Sequence, residues 1–518
     1  MRLHDYLEYY AREVPDHPFA EMDGTSIIYA QANRRANQFS HGLLNSGLSN
    51  GCRFSYLAKN SIEMALMFFA ASKVGVVPVP LNYRLAPREW LYIINDAGSE
   101  VLFCANEFIQ DINSVRDELS NVKAFVCLDG ENDGWTSYAD WLSDDQTDPS
   151  VAVSEDEQLY QMYTSGTTGL PKGAMLSQRS IDCNLGMISR ALGVTEKAER
   201  FLVVAPLYHA AAGITLKASI FNGCTVVIHK EFNPAEVVRS LSEDRITKAT
   251  LVPAMIQACL VGVPDVAERS FPDLQTILYG ASPIAVETLR QAIDTFDCEF
   301  FQAFGMTETT AMATGLGAAE HKRALAGEEH LLKSAGRAAL GTQIKIVDED
   351  DQELALGAVG EIVVKGPQVM MGYWNLPEAT EKALQNGWMH TGDAAYMDEE
   401  GFIYIQDRIK DMIVSGGENI YPTEIENALF EHDAVADAAV IGIPSEQWGE
   451  SVMAFLVLKA DHEVSTDEIV EFCRPRLAGF KIPRRIEFLD EVPRNASGKV
   501  LKKDLREPYW VGIDRRVS

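Results

Sequence analysis

Residues 163–173 read Tyr-Thr-Ser-Gly-Thr-Thr-Gly-Leu-Pro-Lys-Gly, a string suited to holding polyphosphate. Hydroxyls and backbone N–H groups solvate phosphate oxygens, glycine lets the backbone approach them, and lysine adds a point charge. It is not a Walker A loop, which needs Gly-Lys followed by Ser or Thr; here Lys172 lies between Pro171 and Gly173. A Gly/Thr-rich surface turn would explain a generic string of these residues, but accounts poorly for this ordered one.

Other segments have the composition of a site, each weakly on its own. Phe304-Gly-Met-Thr-Glu308 sets an aromatic ring, a hydroxyl and a carboxylate together. A carboxylate beside phosphates is useful mainly as a Mg²⁺ ligand, although Thr-Glu also starts ordinary helices. Tyr279-Gly-Ala-Ser-Pro283 reads as a strand ending in a tight turn, with backbone groups for a purine edge, or simply as a strand-to-helix turn. Thr391-Gly-Asp393 reads as a turn whose aspartate suits ribose hydroxyls, and alone it is more commonly just a turn. In Pro206-Leu-Tyr-His-Ala210 a histidine follows a strand and precedes the small residues 210–213, which leave room for a substrate. A lone histidine is more commonly structural. Gly416 and Gly417 sit in Ser415-Gly-Gly-Glu-Asn-Ile-Tyr-Pro422, and Lys499 ends the polar turn Asn495-Ala-Ser-Gly-Lys499. By composition alone Lys499 is a solvated charge.

These segments punctuate an alternation of short apolar runs and amphipathic stretches. Helices are expected at Ser61–Lys73 and Pro234–Ser242, and strands at Val76–Val79, Phe201–Ala205, Thr225–Ile228, Ala249–Val252 and Thr276–Tyr279. That order predicts α/β layers with largely parallel sheets, whose strand carboxyl ends collect ligands. After about residue 340 the pattern changes to an antiparallel region, with strands at Ile344–Asp348, Gly360–Lys365 and Phe402–Gln406. The acidic turn at Asp348 is not a calcium loop, because Glu353 stands where glycine is needed. Beyond the charged run Asp407-Arg-Ile-Lys-Asp411 a small α+β unit is expected: helices at Pro422–Phe430 and Ser465–Arg474, strands at Ala438–Ile441, Ser451–Leu458 and Arg485–Phe488. The division is therefore 1–409 and 411–518, with residue 410 between them.

Composition narrows the function classes. The 518 residues are 47% hydrophobic and 23% charged, ordinary globular values, with a net charge of −30 from 45 basic and 75 acidic residues. Such a surface repels nucleic acid and anionic membrane, so an anionic ligand must be captured by a local positive site. The eight cysteines form no Cys-x-x-Cys pair, which argues against a disulfide framework or zinc site and favours a reducing, cytoplasmic setting. Arg2, Asp5 and Glu8 interrupt any signal-peptide core, and the apolar run Met64–Leu81 is broken by Lys73, Pro78 and Pro80. No stable membrane insertion is expected. A homodimer is left open.

Taken in order, the motifs from about residue 10 to about 505 resemble the acyl-adenylate-forming superfamily: acyl-CoA synthetases, peptide-synthetase adenylation domains and firefly-type luciferases. The resemblance implies a large N-terminal domain of layered α/β subdomains, with mostly parallel sheets and a distorted β-barrel region, and a small mobile α+β C-terminal domain. It implies ATP, Mg²⁺ and coenzyme A as cofactors and a small carboxylic acid as substrate. Thr164, Ser165, Gly166, Thr167, Thr168, Gly169 and Lys172 match the phosphate loop. Thr307 and Glu308 match the phosphate- and Mg²⁺-binding positions, and Gly280 and Ala281 the adenine-side turn. Phe304 stands where the family usually has a tyrosine stacked on adenine, keeping the ring face and losing the hydroxyl. Asp393 and Arg408 match the ribose pair, Lys410 the hinge, Lys499 the catalytic lysine of the first half-reaction, and His209 the residue near the acyl carboxylate. Trp448, Phe480, Lys481 and Arg484 match more loosely the positions lining the nucleotide end of CoA, and Gly416-Gly417 the turn that approaches the thiol channel.

The implied reaction is attack of a carboxylate on the α-phosphorus of ATP, with release of pyrophosphate, and then attack of a thiol on the acyl-adenylate. No protein nucleophile is needed, in keeping with the absence of a nucleophile elbow. Amino-acid-activating relatives usually place an aspartate around 206–213, and this chain has none there. An acid without an ammonium group is favoured, a medium- or long-chain fatty acid first and an aryl or phenylpropanoid acid of the 4-coumarate or feruloyl kind second. No fused carrier domain is expected after Lys499. From another class, a non-catalytic nucleotide-binding protein is disfavoured by the presence of Lys499, Glu308 and Asp393 together.

Overall fold

The structure of the chain, a computed structural model, describes residues 1–511 apart from 165–169, 196, 283, 416–417, 446, 461 and 495–499, and the backbone alone for Arg408, Lys410 and Asn419. Two parallel sheets build most of the large N-terminal domain. In one, Val77–Pro80, Arg53–Leu57, Val101–Cys104, Ala124–Cys127 and Thr136–Ser137 run side by side in that order. The other has nine strands, and its parallel centre is Thr225–Ile228, Arg200–Val203, Lys248–Thr250, Thr276–Gly280 and Glu299–Phe304. Thr314–Leu316 and Arg337–Ala338 extend it antiparallel at one edge.

These strands lack polar alternation because both of their faces are covered. Phe201 and Val203 enter a core that also holds Phe54, Val101 and Phe103 of the other parallel sheet, while Leu202 and Val204 enter a second core on the opposite face. The apolar run from Met64 is the buried helix Ile62–Val74, started by the Ser61 hydroxyl accepting from the Met64 N–H and ended by Gly75 at φ +68°. It leads into the fully buried strand Val77–Pro80. No helix among the described residues is long and apolar enough to cross a membrane.

The antiparallel region is divided between two sheets. Gln343–Val347, Gly360–Lys365, Trp388–Met397, Leu384–Gln385 and Ile403–Arg408 form one. The second joins Gln158–Thr164 and Lys172–Ser177 to Gly372–Tyr373, and so draws the phosphate-loop segment into the later part of the chain. One expectation is corrected here. Thr391-Gly-Asp393 is not a turn but lies inside the ten-residue strand Trp388–Met397, with Gly392 at φ +71° and the register slipping against Glu361–Val363. Residues 391–393 stand there opposite Ile362 alone, two more than regular pairing allows.

The smaller C-terminal domain is one sheet, Glu418–Ile420, Ile413–Ser415, Gly449–Leu458 and Val435–Ser445 in order, with Arg485–Phe488 parallel to Gly449–Leu458. Ala438 and Val440 face a core that includes Ile425 and Leu429 of helix Pro422–Phe430, and Ala439 and Ile441 face Phe455 and Val492 on the other side. The expected strand Ala438–Ile441 extends to Val435–Ser445 because residues 442–445 continue the hairpin with 449–452. Between the two domains the chain leaves one sheet at Arg408, makes a single 3₁₀ turn at Ile409–Asp411 and enters the next at Ile413.

Candidate active site

Strands Arg200–Val203, Lys248–Thr250, Thr276–Gly280 and Glu299–Phe304 are adjacent and parallel, so their carboxyl ends open on one edge of the sheet. Gly280 and Phe304 are the last residues of the final two, and Gly280 pairs with Ala303. A β-carbon on Gly280 would lie 2.1 Å from the Ala303 carbonyl oxygen, and one on Gly305 2.3 Å from that of Ala311. Only glycine fits either place. Beside them the non-glycine residues Ala281, Thr310 and Ala311 take φ of +66°, +59° and +99°. Such conformations cost about 1–3 kcal/mol each and gather where a ligand site requires them.

Glu308 lies on the single 3₁₀ turn Thr307–Thr309, closed by the Thr309 hydroxyl accepting from the Met306 N–H. The modest reading of Thr-Glu as a helix start thus describes the local backbone. The carboxylate is buried, and its Oε1 accepts from the Tyr373 hydroxyl at 2.8 Å and from the Thr164 hydroxyl at 3.4 Å. Thr164 faces Lys172 across the antiparallel pair, and Lys172 Nζ stands 5.1 Å from the Tyr373 ring centroid. Both flanks of the loop are pinned to helix Pro87–Ala97: the Tyr92 hydroxyl donates to the Pro171 carbonyl, and the Tyr163 hydroxyl to Asp96. The residues entering and leaving the phosphate-loop segment therefore converge on Glu308.

Tyr373 is a site residue that the sequence reading did not single out. Its signal was the run Met371-Gly-Tyr-Trp374, in which Gly372 at φ +142° leaves no room for a β-carbon, which would meet Thr380 Cγ2 at 2.7 Å. Glu308 Oε2 makes no hydrogen bond to a described residue. One uncommitted carboxylate oxygen beside a phosphate-loop segment fits Mg²⁺, which takes one or two protein carboxylates and completes its shell with phosphate and water.

The remaining candidates are placed by the sheets. Asp393 is buried and pairs with Arg408 on the neighbouring strand. His209 ends the turn after Arg200–Val203 and precedes helix Ala210–Phe221. Its ring packs 4.4 Å from that of Tyr208, and its Nε2 is buried with no hydrogen-bond partner among the described residues. Burial, with Arg84 nearby, pushes its pKa down to about 4, so the imidazole is neutral at neutral pH. Trp448 and Phe480 stand apart, exposed on the C-terminal domain beside the Arg484 guanidinium at 5.1 Å and the Lys481 ammonium at 5.7 Å. Ser165, Gly166, Thr167, Thr168, Gly169, Gly416, Gly417 and Lys499 lie outside the described residues.

The model of the AMP-binding enzyme family matches residues 7–374, and that of the AMP-binding enzyme C-terminal domain matches residues 424–499. The chain belongs to the AMP-binding enzymes. Across 98% of its length this AMP-binding enzyme is 38% identical to a fatty acid–[acyl-carrier-protein] ligase, ScoC, of Streptomyces coeruleorubidus, covering 97% of that relative. It is 36% identical over 96% of its length to a feruloyl-CoA synthase of Amycolatopsis sp, again covering 97% of the relative. The o-succinylbenzoate CoA synthetase (MenE) of Bacillus subtilis, solved with its acyl-adenylate intermediate, superposes at a TM-score of 0.84 with 31% identity, over 96% of this chain and 97% of that one. The same synthetase has been solved with ATP and magnesium ion. The chain is thus a member of the acyl-adenylate-forming enzymes, ligases that use ATP, Mg²⁺ and CoA.

Proposed function

We propose that this AMP-binding enzyme joins a carboxylic acid to the thiol of CoA, forming an acyl-adenylate and pyrophosphate first, then acyl-CoA and AMP. The observation that carries this reading is the meeting of Thr164, Lys172, Tyr373 and Glu308 beside the strand ends that bear Gly280 and Phe304. Attack by one anion on another is opposed mainly by charge, so fixed positive groups and donors aimed at the phosphates supply most of the catalysis. Lys172 and the 165–169 loop take the β- and γ-phosphates. Glu308 holds Mg²⁺, which when bound neutralises the triphosphate and the leaving pyrophosphate. Phe304 would stack on adenine beside Gly280-Ala281, Asp393 and Arg408 would hold the ribose, and Lys499 would bridge the attacking carboxylate and the α-phosphate. Neutral His209 lies at the acyl end, where it orients by hydrogen bonding rather than by charge.

Lys410, on the 3₁₀ turn between the two sheets, is the hinge about which the C-terminal domain exchanges Lys499 for Gly416-Gly417 between the half-reactions. The domains divide there, 1–409 and 411–518. The acid has an aliphatic or aromatic body, supported by the small residues Ala210–Gly213, the absence of an aspartate among them, and the fatty-acid and feruloyl relatives. A cytoplasmic setting rests on the scattered cysteines.

One observation favours a second reading of the thiol. The ScoC relative uses an acyl carrier protein, which would supply the same kind of thiol without the nucleotide end of CoA. The exposed Trp448 beside Arg484 favours CoA, since a ring and a guanidinium suit a nucleotide. AMP release measured with CoA and with a phosphopantetheinylated carrier protein separates the two. CoA is expected to give at least about tenfold higher kcat/KM; the reverse ratio would assign the carrier protein.

A further inference from the structure

Helix Ala210–Phe221 begins at His209 and carries a single ionisable side chain, Lys217. His209, Gly213 and Lys217 are four apart and share one face. Lys217 has no exposed surface, and its Nζ turns back towards the start of the helix to donate to the Gly213 carbonyl at 3.1 Å. A β-carbon on Gly213 would lie 3.1 Å from that Nζ, so the amine fills space that the missing side chain leaves. Its other neighbours are the rings of Phe68 at 3.9 Å and Tyr160 at 4.6 Å.

Other buried lysines of the chain are handled differently. Lys73 meets Glu8, Lys248 lies 3.6 Å from Glu199, and Lys502 lies 3.4 Å from Asp407 and 3.0 Å from Glu426. Among the described residues Lys217 has no carboxylate within ion-pair distance. An ammonium group has three donors, and the one acceptor recorded here is a helix carbonyl. Burial brings its pKa down to about 7, so an arriving anion would hold it protonated. Two turns back along the helix, about 12 Å from residue to residue, His209 Nε2 is also buried with no partner among the described residues, as is the Tyr208 hydroxyl beside it. An uncompensated amine hidden on an apolar helix below two unmet polar groups carries a cost that a ligand oxygen would offset.

We infer that Lys217 is a specificity-determining residue of the acyl pocket and pairs a second carboxylate at the far end of a dicarboxylic acid. The inference rests on the proposed ligase reaction, in which His209 marks the carboxylate that reacts. The substrate is then an acid whose apolar body ends in a second anionic group, held by the cation and rings of Lys217, Phe68 and Tyr160.

The test compares acids of equal length, hexanoate with hexanedioate and octanoate with octanedioate, by acid-dependent pyrophosphate exchange. Purified wild-type protein is expected to favour the diacid by about tenfold or more in kcat/KM. Lys217→Met, of similar length and apolar, is expected to reverse that preference with the KM for ATP unchanged and the melting temperature equal or higher. Lys217→Gln, which keeps a donor but no charge, is expected to lose the preference too, and serves if the methionine variant misfolds. A wild-type preference for the monoacids, or a ratio that both folded variants leave unchanged, overturns the inference while the ligase reaction stands. Exchange with none of these four acids overturns the inference, and the ligase reading falls with it only where aromatic acids also drive none.

Discussion

Replacing Lys499 by alanine is expected to lower acyl-adenylate formation by about 10³-fold or more, while thioester formation from a supplied acyl-adenylate continues at close to the wild-type rate. The first step brings two anions together, and a cation bridging them acts chiefly in that transition state. The second step begins from a mixed anhydride that is already activated, and has no such need. The residues on either side of 495–499 are themselves tied down. Arg494 and Val500 form an antiparallel bridge, the Leu501 N–H donates to the Pro493 carbonyl, and Arg494 pairs with Asp437 at 2.8 Å. Lys502 reaches Asp407, the neighbour of Arg408, and Arg506 pairs with Asp411. These flanks are therefore tied to Asp437, Asp407 and Asp411. Single-turnover measurement of the two half-reactions checks the assignment; equal losses in both would refute it.

Glu308→Gln is expected to reduce adenylation by about 10²-fold and to raise the Mg²⁺ concentration needed for half-maximal rate. The substitution keeps the size and the acceptor for the Tyr373 and Thr164 hydroxyls, so the local packing around Oε1 survives. What it removes is the negative charge that a divalent cation requires. Titration of the rate against Mg²⁺, with melting curves recorded alongside, separates this from a folding defect. An unchanged Mg²⁺ dependence in a folded variant would take the metal away from Glu308.

The parts of the fold that were legible in sequence are those fixed by local pattern. Apolar runs such as Phe201–Ala205 and Thr225–Ile228 become strands because both sides of the sheet are buried, and Ser61 and Gly75 bracket a helix through their own side-chain and backbone chemistry. Pairings between distant segments were not legible. Nothing near Gln158–Thr164 announces that its hairpin partner will bind Gly372–Tyr373, the contact that brings Tyr373 to Glu308. Thr391-Gly-Asp393 has the composition of a turn, and only its register against Gly360–Lys365 makes it a bulge. Nothing in the sequence marks Lys217: one lysine in an apolar helix usually snorkels to the surface, and its burial is visible only once Phe68 and Tyr160 are in place.

Exchange of labelled pyrophosphate into ATP, driven by a panel of aliphatic, aromatic and dicarboxylic acids with no thiol present, tests the central claim most directly. At least one acid is expected to drive exchange that depends on Mg²⁺, falls to background without acid and is lost in Lys499→Ala. Tight ATP binding with no exchange from any acid would contradict adenylation and leave a nucleotide-binding protein without this chemistry.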